Sequence, residues 1–158
     1  AWAQTVWPTT GTAQVVWQCL IGTKTIVKTE IWAGLKLTNT PATATDDNQV
    51  HFRFLASESA NWIYVSSRAG VDVAAIGGTT TGAKAVAVAD ETKWHLMIAI
   101  DENRLPHFFI NGRLVYTGAA LTTAINLIPY IGVKATGASA GAVVLNAYAT
   151  AISRIPAL

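Results

Sequence analysis

Apolar and polar residues alternate with a period of two along most of this chain, as they do in strands that bury one face. In residues 25–37 one face is apolar, and Trp32 lies among charged residues on the opposite face. The same alternation recurs in three further segments, residues 50–56, 93–101 and 107–116. The Asn111-Gly112 pair lies between apolar segments and predicts a two-residue type I′ hairpin turn.

Shorter apolar segments separated by Gly, Pro and Asn predict the remaining strands. They lie near residues 14–21, 61–67, 72–76, 84–89, 127–135 and 142–152. Pro129 restricts its strand to a sheet edge, a bulge or a late start. Nothing longer than a short turn at 119–125 has helical character. We therefore predict an all-β antiparallel sandwich, with residues 1–24 as an N-terminal arm and first strand and residues 25–158 as the sandwich domain.

Composition excludes several classes of protein. The chain has 158 residues, a charged fraction of only 13% and a net charge of +2, and its arginines are scattered, which argues against nucleic-acid binding. No apolar run approaches the roughly 20 residues of a membrane helix, and the single cysteine, Cys19, excludes an internal disulfide. The hydrophobic fraction of 51% fits two alternatives, a soluble β-domain with an Ala/Thr-rich surface or a subunit that covers part of its surface with other chains.

The acidic and nucleophilic residues predict no catalytic site. Retaining glycosidases need two carboxyl groups about 5–5.5 Å apart. Glu30 stands alone in its strand, while Asp90/Glu91 and Asp101/Glu102 are adjacent pairs that point to opposite sides or lie in turns. Cys19 has no partner in the sequence, and His51, His95 and His107 lie in separate strands. We therefore expect no enzymatic activity and no catalytic residue.

Metal binding has one weak candidate. Calcium takes oxygen ligands, and Asp46-Asp47-Asn48 is the densest oxygen cluster of the sequence. A polar loop between strands is the favoured explanation of these residues. We expect no metal site and no cofactor, with calcium as the alternative.

Tryptophan and tyrosine residues are the candidate binding residues. Trp2, Trp7 and Trp17 stand on the polar N-terminal arm and are predicted to contact a partner protein. A second set, Trp32, Trp62 and Tyr64, has three interpretations: a platform for sugar rings, an anchor for a partner, or a residue covered by a further strand.

Three ordered passages between residues 25 and 154 resemble the concanavalin A-like (laminin-G-like) jelly-roll family. They are the strand at Lys24–Leu37, the pair Thr92–Asp101 with Phe108–Val115, and Pro129–Val133 before a last strand that ends at Ser153-Arg154. Within this family the segments around Asp101–Arg104 and Leu127–Val133 look most like jelly-roll domains of tailed-bacteriophage structural proteins. The resemblance implies a jelly-roll topology.

Two functions follow as hypotheses. The phage-like resemblance implies a non-enzymatic virion protein, a capsid decoration, cement or fibre subunit located in the virion. Its partners would be other copies, in a homotrimer, and the major capsid protein or another virion protein. The alternative is a carbohydrate-binding, lectin-like module for host attachment. Neither hypothesis involves nucleic acid or a membrane.

Overall fold

In the computed structural model the protein is a sandwich of two antiparallel sheets, described here for residues 7–8, 13–37, 48–121, 126–137 and 145–156. The strands are β1 (Trp7–Pro8), β2 (Ala13–Thr23), β3 (Thr29–Lys36), β4 (Asn48–Leu55), β5 (Ile63–Arg68), β6 (Val71–Ile76), β7 (Thr92–Ile100), β8 (Pro106–Ile110), β9 (Arg113–Thr117), β10 (Asn126–Ala135) and β11 (Leu145–Pro156). One sheet has the order β1-β10-β3-β4-β5-β6, and the other has the order β11-β2-β7-β8-β9. The predicted all-β antiparallel sandwich is confirmed.

The described residues contain no helix, and so nothing among them could cross a membrane as a long apolar helix.

Aromatic side chains join the two sheets in the core. Phe52 of β4 meets Phe108 of β8 edge-on, with 5.2 Å between ring centroids. Trp62, just before β5, meets Trp94 of β7 in the same way at 5.9 Å. These rings are almost fully buried. Edge-to-face packing is a favourable arrangement of aromatic rings, so these pairs hold the sheets at a defined spacing.

The hairpin predicted at Asn111-Gly112 is present between β8 and β9. Both residues have positive φ, 51° and 78°, as a type I′ turn requires. Pro129 also lies where it was expected. It pairs with Leu35 of β3, while β1 pairs only with residues 126–127 on the other side of β10, so no neighbour needs a proline N–H there.

Two strand boundaries differ from the prediction. β3 begins at Thr29 rather than at Thr25, because Lys28 has a φ of 54° and turns the chain, which leaves Val27 66% exposed. Residues 84–89 form no strand. They bond first to β9, through Lys84 N to Val115 O, and then to the segment before β5, through Trp62 N to Val86 O, and they extend neither sheet.

The N-terminal region contains the first strand that the sequence predicted. β2 lies between β11 and β7 in the five-stranded sheet, so residues 13–23 are an integral part of the sandwich. Before β2, the structure describes only β1, whose backbone pairs with residues 126–127. Trp2 lies outside the described residues, and for Trp7 only the backbone is described.

Gly34 lets β3 and β4 come unusually close. A Cβ atom at this position would lie 2.5 Å from the Cα of His51 and closer still to the Val50 carbonyl oxygen. Both are backbone atoms, so no side-chain movement relieves the clash. We expect Gly34→Ala to lower the free energy of unfolding by at least about 1–3 kcal/mol, the usual cost of overpacking.

Denaturant unfolding measures this effect. Gly137→Ala is the matched control, because its Cβ would make only an ordinary contact of 3.4 Å with Lys28. Equal stability of the Gly34→Ala variant and the wild type would show that the two strands are not packed this closely.

Candidate functional site

A cluster of polar and aromatic side chains covers the face of the six-stranded sheet that points away from the core. We call it the outer cluster. The strand register brings its members together across five neighbouring strands, and most of them are buried. The members are Glu30, Trp32 and Lys36 of β3; Gln49, His51 and Arg53 of β4; Ser67 of β5; Asp72 of β6; and Tyr130 of β10.

Trp32 and His51 form the centre of the outer cluster. Their rings stack with a centroid distance of 4.2 Å and an angle of 9° between planes. The indole Nε1 of Trp32 donates a hydrogen bond to Glu30 Oε1 at 2.8 Å. Trp32 points away from the core, as the alternation indicated, yet it is only 3% exposed.

The charged groups of the outer cluster have partners within it or directly beside it. Lys36 Nζ lies 4.8 Å from the ring centroid of Tyr130 and 5.7 Å from that of Trp32, within the range of cation–π attraction. Arg53 pairs with Glu58, in the turn after β4, at 2.5 Å. The cluster therefore balances its charges locally.

A hydrogen-bonded row continues the cluster to the sheet edge. Gln49 Nε2 donates to Asp72 Oδ1 at 3.0 Å, and the Ser67 hydroxyl donates to the same oxygen. These bonds tie β4, β5 and β6 together by side chains as well as by backbone. They also hold the Gln49 amide in one orientation.

All three polar side chains on the outer face of β4 keep an unpartnered buried atom. Within the described part of the chain, these atoms are Oε1 of Gln49, both ring nitrogens of His51, and Nε of Arg53. Buried polar atoms in native proteins nearly always have a partner, and an exception requires an explanation. Their spacing along one strand makes this row a candidate for binding a molecule with several hydroxyl groups.

Burial keeps His51 neutral. Desolvation lowers the pKa of His51 to about 3, and the nearby cations Arg53 and Lys36 lower it too, while Asp72 opposes the shift. A protonated ring would lie between these two cations without an acceptor for its N–H groups. The outer cluster is therefore arranged around an uncharged imidazole.

This burial predicts a loss of stability in acid. Between pH 6.5, the ordinary pKa of histidine, and about 3, the unfolded chain binds a proton at His51 that the folded chain does not. The free energy of unfolding then falls as the pH falls, by up to about 1.4 kcal/mol per pH unit. We expect His51→Phe, which keeps a ring against Trp32, to remove this part of the slope.

Urea unfolding at several pH values from 4 to 7 measures both slopes. Carboxyl groups outside the site titrate in both proteins, so the difference between the slopes isolates His51. Parallel stability curves would contradict a buried neutral imidazole.

The structure corrects three of the predicted binding residues. Trp17, Trp62 and Tyr64 have no exposed surface and belong to the core between the sheets. Trp17 lies on the inner face of β2, and the Tyr64 hydroxyl donates to the carbonyl of Lys84 at 2.8 Å. None of the three can reach a partner or a sugar on the surface.

The three histidines are not brought together. His95 lies 3.0 Å from Gln18 Oε1 through Nε2. His107 lies between Asp101 and Thr117, with distances of 3.1 Å to each. Within the described ranges, no three His, Cys, Asp or Glu side chains lie close enough to hold a metal ion. Asp46 and Asp47 of the calcium candidate lie outside the described residues, so that alternative stays a prediction.

Sequence reasoning missed most of the outer cluster. Lys36, Gln49 and Asp72 are ordinary surface residue types, and their burial has no signature in the sequence. The alternation in β4 did place His51 and Arg53 on one face. The pattern does not show whether such a polar face is covered or exposed to solvent.

Comparison with known proteins identifies the fold. No protein-family model and no curated protein sequence matches the chain. Galectin LEC-6 from Caenorhabditis elegans matches with a TM-score of 0.56 and 13% identity over 95% of this chain and 91% of the galectin. Bacillus licheniformis β-glucanase matches with a TM-score of 0.60 and 11% identity over 97% of this chain and 68% of the enzyme. The family 7 alginate lyase A1-II′ matches with a TM-score of 0.58 and 12% identity over 96% of this chain and 66% of the enzyme.

The fold is a concanavalin A-like jelly roll. Identities this low establish the fold alone. The resemblance read from the sequence is confirmed at this level.

The prediction that the chain is not an enzyme is corrected by these neighbours. A β-glucanase and an alginate lyase, both enzymes, share the jelly roll over nearly the whole chain, alongside a galectin. The missing carboxylate spacing excluded one arrangement of one reaction, the retaining glycosidase, and not catalysis on this fold. One fold hosts many functions.

Proposed function

We propose that this protein binds a glycan on the outer face of its six-stranded sheet. The observation that carries the proposal is the row of unpartnered polar atoms on Gln49, His51 and Arg53, beside the ring of Trp32. Structural neighbours with this jelly roll include a galectin and enzymes named for glucan and alginate, which supports a carbohydrate ligand.

Sugar hydroxyl groups suit these three side chains chemically. Each hydroxyl donates one hydrogen bond and accepts others, so an oligosaccharide lying along β4 could donate to Gln49 Oε1 and accept from Arg53 Nε. The neutral imidazole of His51 offers one donor and one acceptor nitrogen. Satisfying several buried groups at once removes the cost of leaving them unpaired.

The charge pattern favours a neutral glycan. The guanidinium of Arg53 is paired with Glu58, and Lys36 lies against aromatic rings. Asp72 and Glu30 add negative charge to the same face and accept hydrogen bonds there. An acidic sugar would meet no excess of positive charge, so a β-glucan oligosaccharide fits better than an alginate oligosaccharide.

Binding on this face requires movement. Trp32 and His51 are 3% and 1% exposed, so a sugar reaches them only after the groups above them move aside. We therefore expect binding to change the fluorescence of Trp32 and to be slower than simple association with an open site.

Calorimetry and tryptophan fluorescence with β-glucan and alginate oligosaccharides test the proposal. Saturable binding is expected for the neutral series. Arg53→Gln should weaken it about 10-fold or more, the usual scale for losing a hydrogen bond to a charged group. Arg113→Gln, an exposed arginine on β9 of the other sheet, is the matched control.

Thermal unfolding of both arginine variants verifies that they remain folded. If neither series of oligosaccharides binds, the proposal is overturned. Equal affinity of the Arg53→Gln and Arg113→Gln variants would place the site elsewhere. Analysis of the same incubations for shortened oligosaccharides tests for cleavage.

A second candidate function is that of a virion structural subunit. Large apolar side chains that remain exposed favour it: Leu20, Val71, Val73, Leu114 and Tyr148. Only 13% of the residues are charged, so the protein has few surface charges to oppose association of these apolar side chains with other proteins. Its partners would be other copies, a homotrimer in the sequence-based hypothesis, and the major capsid protein or another virion protein.

A further inference from the structure

Three side chains at one end of the five-stranded sheet form a hydrogen-bonded series. They are Asp101, directly after β7, His107 on β8 and Thr117 at the end of β9. Nε2 of His107 lies 3.1 Å from Asp101 Oδ2, and Nδ1 of His107 lies 3.1 Å from Thr117 Oγ1. The strand register places His107 directly opposite Thr117, so the pairing of β8 with β9 holds the imidazole beside the hydroxyl.

Asp101 is held in place by the turn that it begins. Its Oδ1 accepts hydrogen bonds from the backbone N–H groups of Asn103 and Leu105, both at 2.9 Å, while its Oδ2 faces His107. Burial raises the pKa of Asp101, but the hydrogen bonds from His107 and from these two N–H groups outweigh burial and lower it below its ordinary value. Asp101 is therefore a carboxylate with one fixed orientation.

This carboxylate fixes the tautomer of a neutral His107. A carboxylate accepts hydrogen bonds and cannot donate them, so Nε2 of His107 carries the hydrogen and donates it to Asp101. Nδ1 then has a lone pair and accepts from the Thr117 hydroxyl. Thr117 is exposed. A hydroxyl bonded to a base, with the base oriented by a third group, is the geometric signature of nucleophilic catalysis.

Thr117 also lines a surface cavity of about 330 Å³ beside β9, together with residues 114–116 and the segment that contains Thr81 and Lys84. This volume lies near the lower end of the range for small-molecule sites, roughly 300–1,000 Å³. Lys84 Nζ donates to the carbonyl of Leu114 at 3.1 Å. An ammonium group has three N–H donors, so Lys84 can also donate to an oxygen of a molecule in the cavity and stabilise negative charge there.

We propose that Thr117 is the nucleophile of a site that hydrolyses short carboxylic esters, with His107 as its general base and Asp101 as the positioning residue. The Thr117 oxygen bonds to the ester carbonyl carbon while Nδ1 of His107 takes the hydroxyl proton. The bond from that carbon to the alcohol oxygen then breaks, and the leaving oxygen takes the proton from Nδ1. The products of this step are the free alcohol and an acyl ester of Thr117.

Water completes the reaction. It gives a proton to Nδ1 of His107 while its oxygen bonds to the acyl carbon. The Thr117 oxygen then leaves that carbon and takes the proton back, which releases the carboxylic acid. No electrons are transferred, and water is the only co-reactant. The proposed glycan site lies on the other sheet, so this inference does not depend on it and the two proposals fail separately.

Hydrolysis of p-nitrophenyl acetate by the full chain tests the role of Thr117. The wild type is expected to release p-nitrophenol faster than buffer does. Thr117→Val removes the hydroxyl with little change of shape and should abolish this excess rate, whereas Thr117→Ser should recover most of it. Thr150→Val is the matched control and should keep the wild-type rate, because Thr150 is also exposed but its hydroxyl donates to the backbone carbonyl of Gln18.

The general base is tested by replacing its imidazole. His107→Gln should lower the excess rate about 100-fold or more, the usual scale for general base catalysis. His95→Gln is the matched control, since His95 lies on the same sheet but its Nε2 contacts Gln18, and it should keep the wild-type rate. Thermal unfolding verifies that each variant is folded, and Thr117→Ala replaces Thr117→Val if the valine variant unfolds.

NMR of the imidazole nitrogens tests the positioning residue. In the wild type the hydrogen of neutral His107 should be on Nε2. Asp101→Asn keeps an oxygen for the N–H groups of Asn103 and Leu105 and turns its amide N–H toward Nε2. The hydrogen of the ring should then move to Nδ1, where it removes the acceptor for Thr117. We expect kcat to fall while KM for the ester stays unchanged.

Mass spectrometry of acid-quenched reactions locates the acyl group. An acetyl group on the peptide that contains Thr117 supports the proposal. A wild-type rate equal to that of buffer overturns it, and so does a folded Thr117→Val variant with the wild-type rate, which would leave His107 acting alone. Acetyl groups found only on lysine, tyrosine or histidine side chains would likewise overturn it.

Discussion

Strand β3 is buried on both faces, and much of the structure depends on this constraint. Its inner face packs in the core between the sheets, and its outer face carries Trp32, Lys36 and Glu30, all nearly or fully buried. A buried polar group is costly unless it is bonded or held by an aromatic ring. The contacts of the outer cluster, from the Glu30 bond of Trp32 to the aromatic neighbours of Lys36, meet this requirement on β3.

The same requirement is not met on β4, and this difference defines the candidate site. Gly34 brings β4 so close to β3 that His51 stacks on Trp32, in a position without a partner for either ring nitrogen among the described residues. Burial then keeps the imidazole neutral. Close packing, an unpaired polar row and a perturbed histidine are thus consequences of one strand pairing. Such a combination is typical of a binding site rather than of a stability core.

The two sheets differ in where their apolar surface lies. The six-stranded sheet covers the middle of its outer face with polar side chains that are mostly buried and leaves Val71 and Val73 exposed on its edge strand β6, whereas the five-stranded sheet leaves Leu20, Leu114 and Tyr148 exposed or partly exposed. With few charges available, the protein protects its surface unevenly.

The sequence by itself determined the strands, the hairpin and the class of fold. Alternation marked β4, β7 and β8 because a pleated strand must place successive side chains on opposite faces. Asn111-Gly112 marked its turn because few other residue pairs tolerate two positive φ angles. Only the tertiary structure decided which faces are covered. Trp62 and Tyr64 showed the same aromatic pattern as Trp32, yet they lie in the core while Trp32 lies in the outer cluster. A period of two states which residues share a face, but burial depends on what packs against that face, and that information comes from residues distant in the chain.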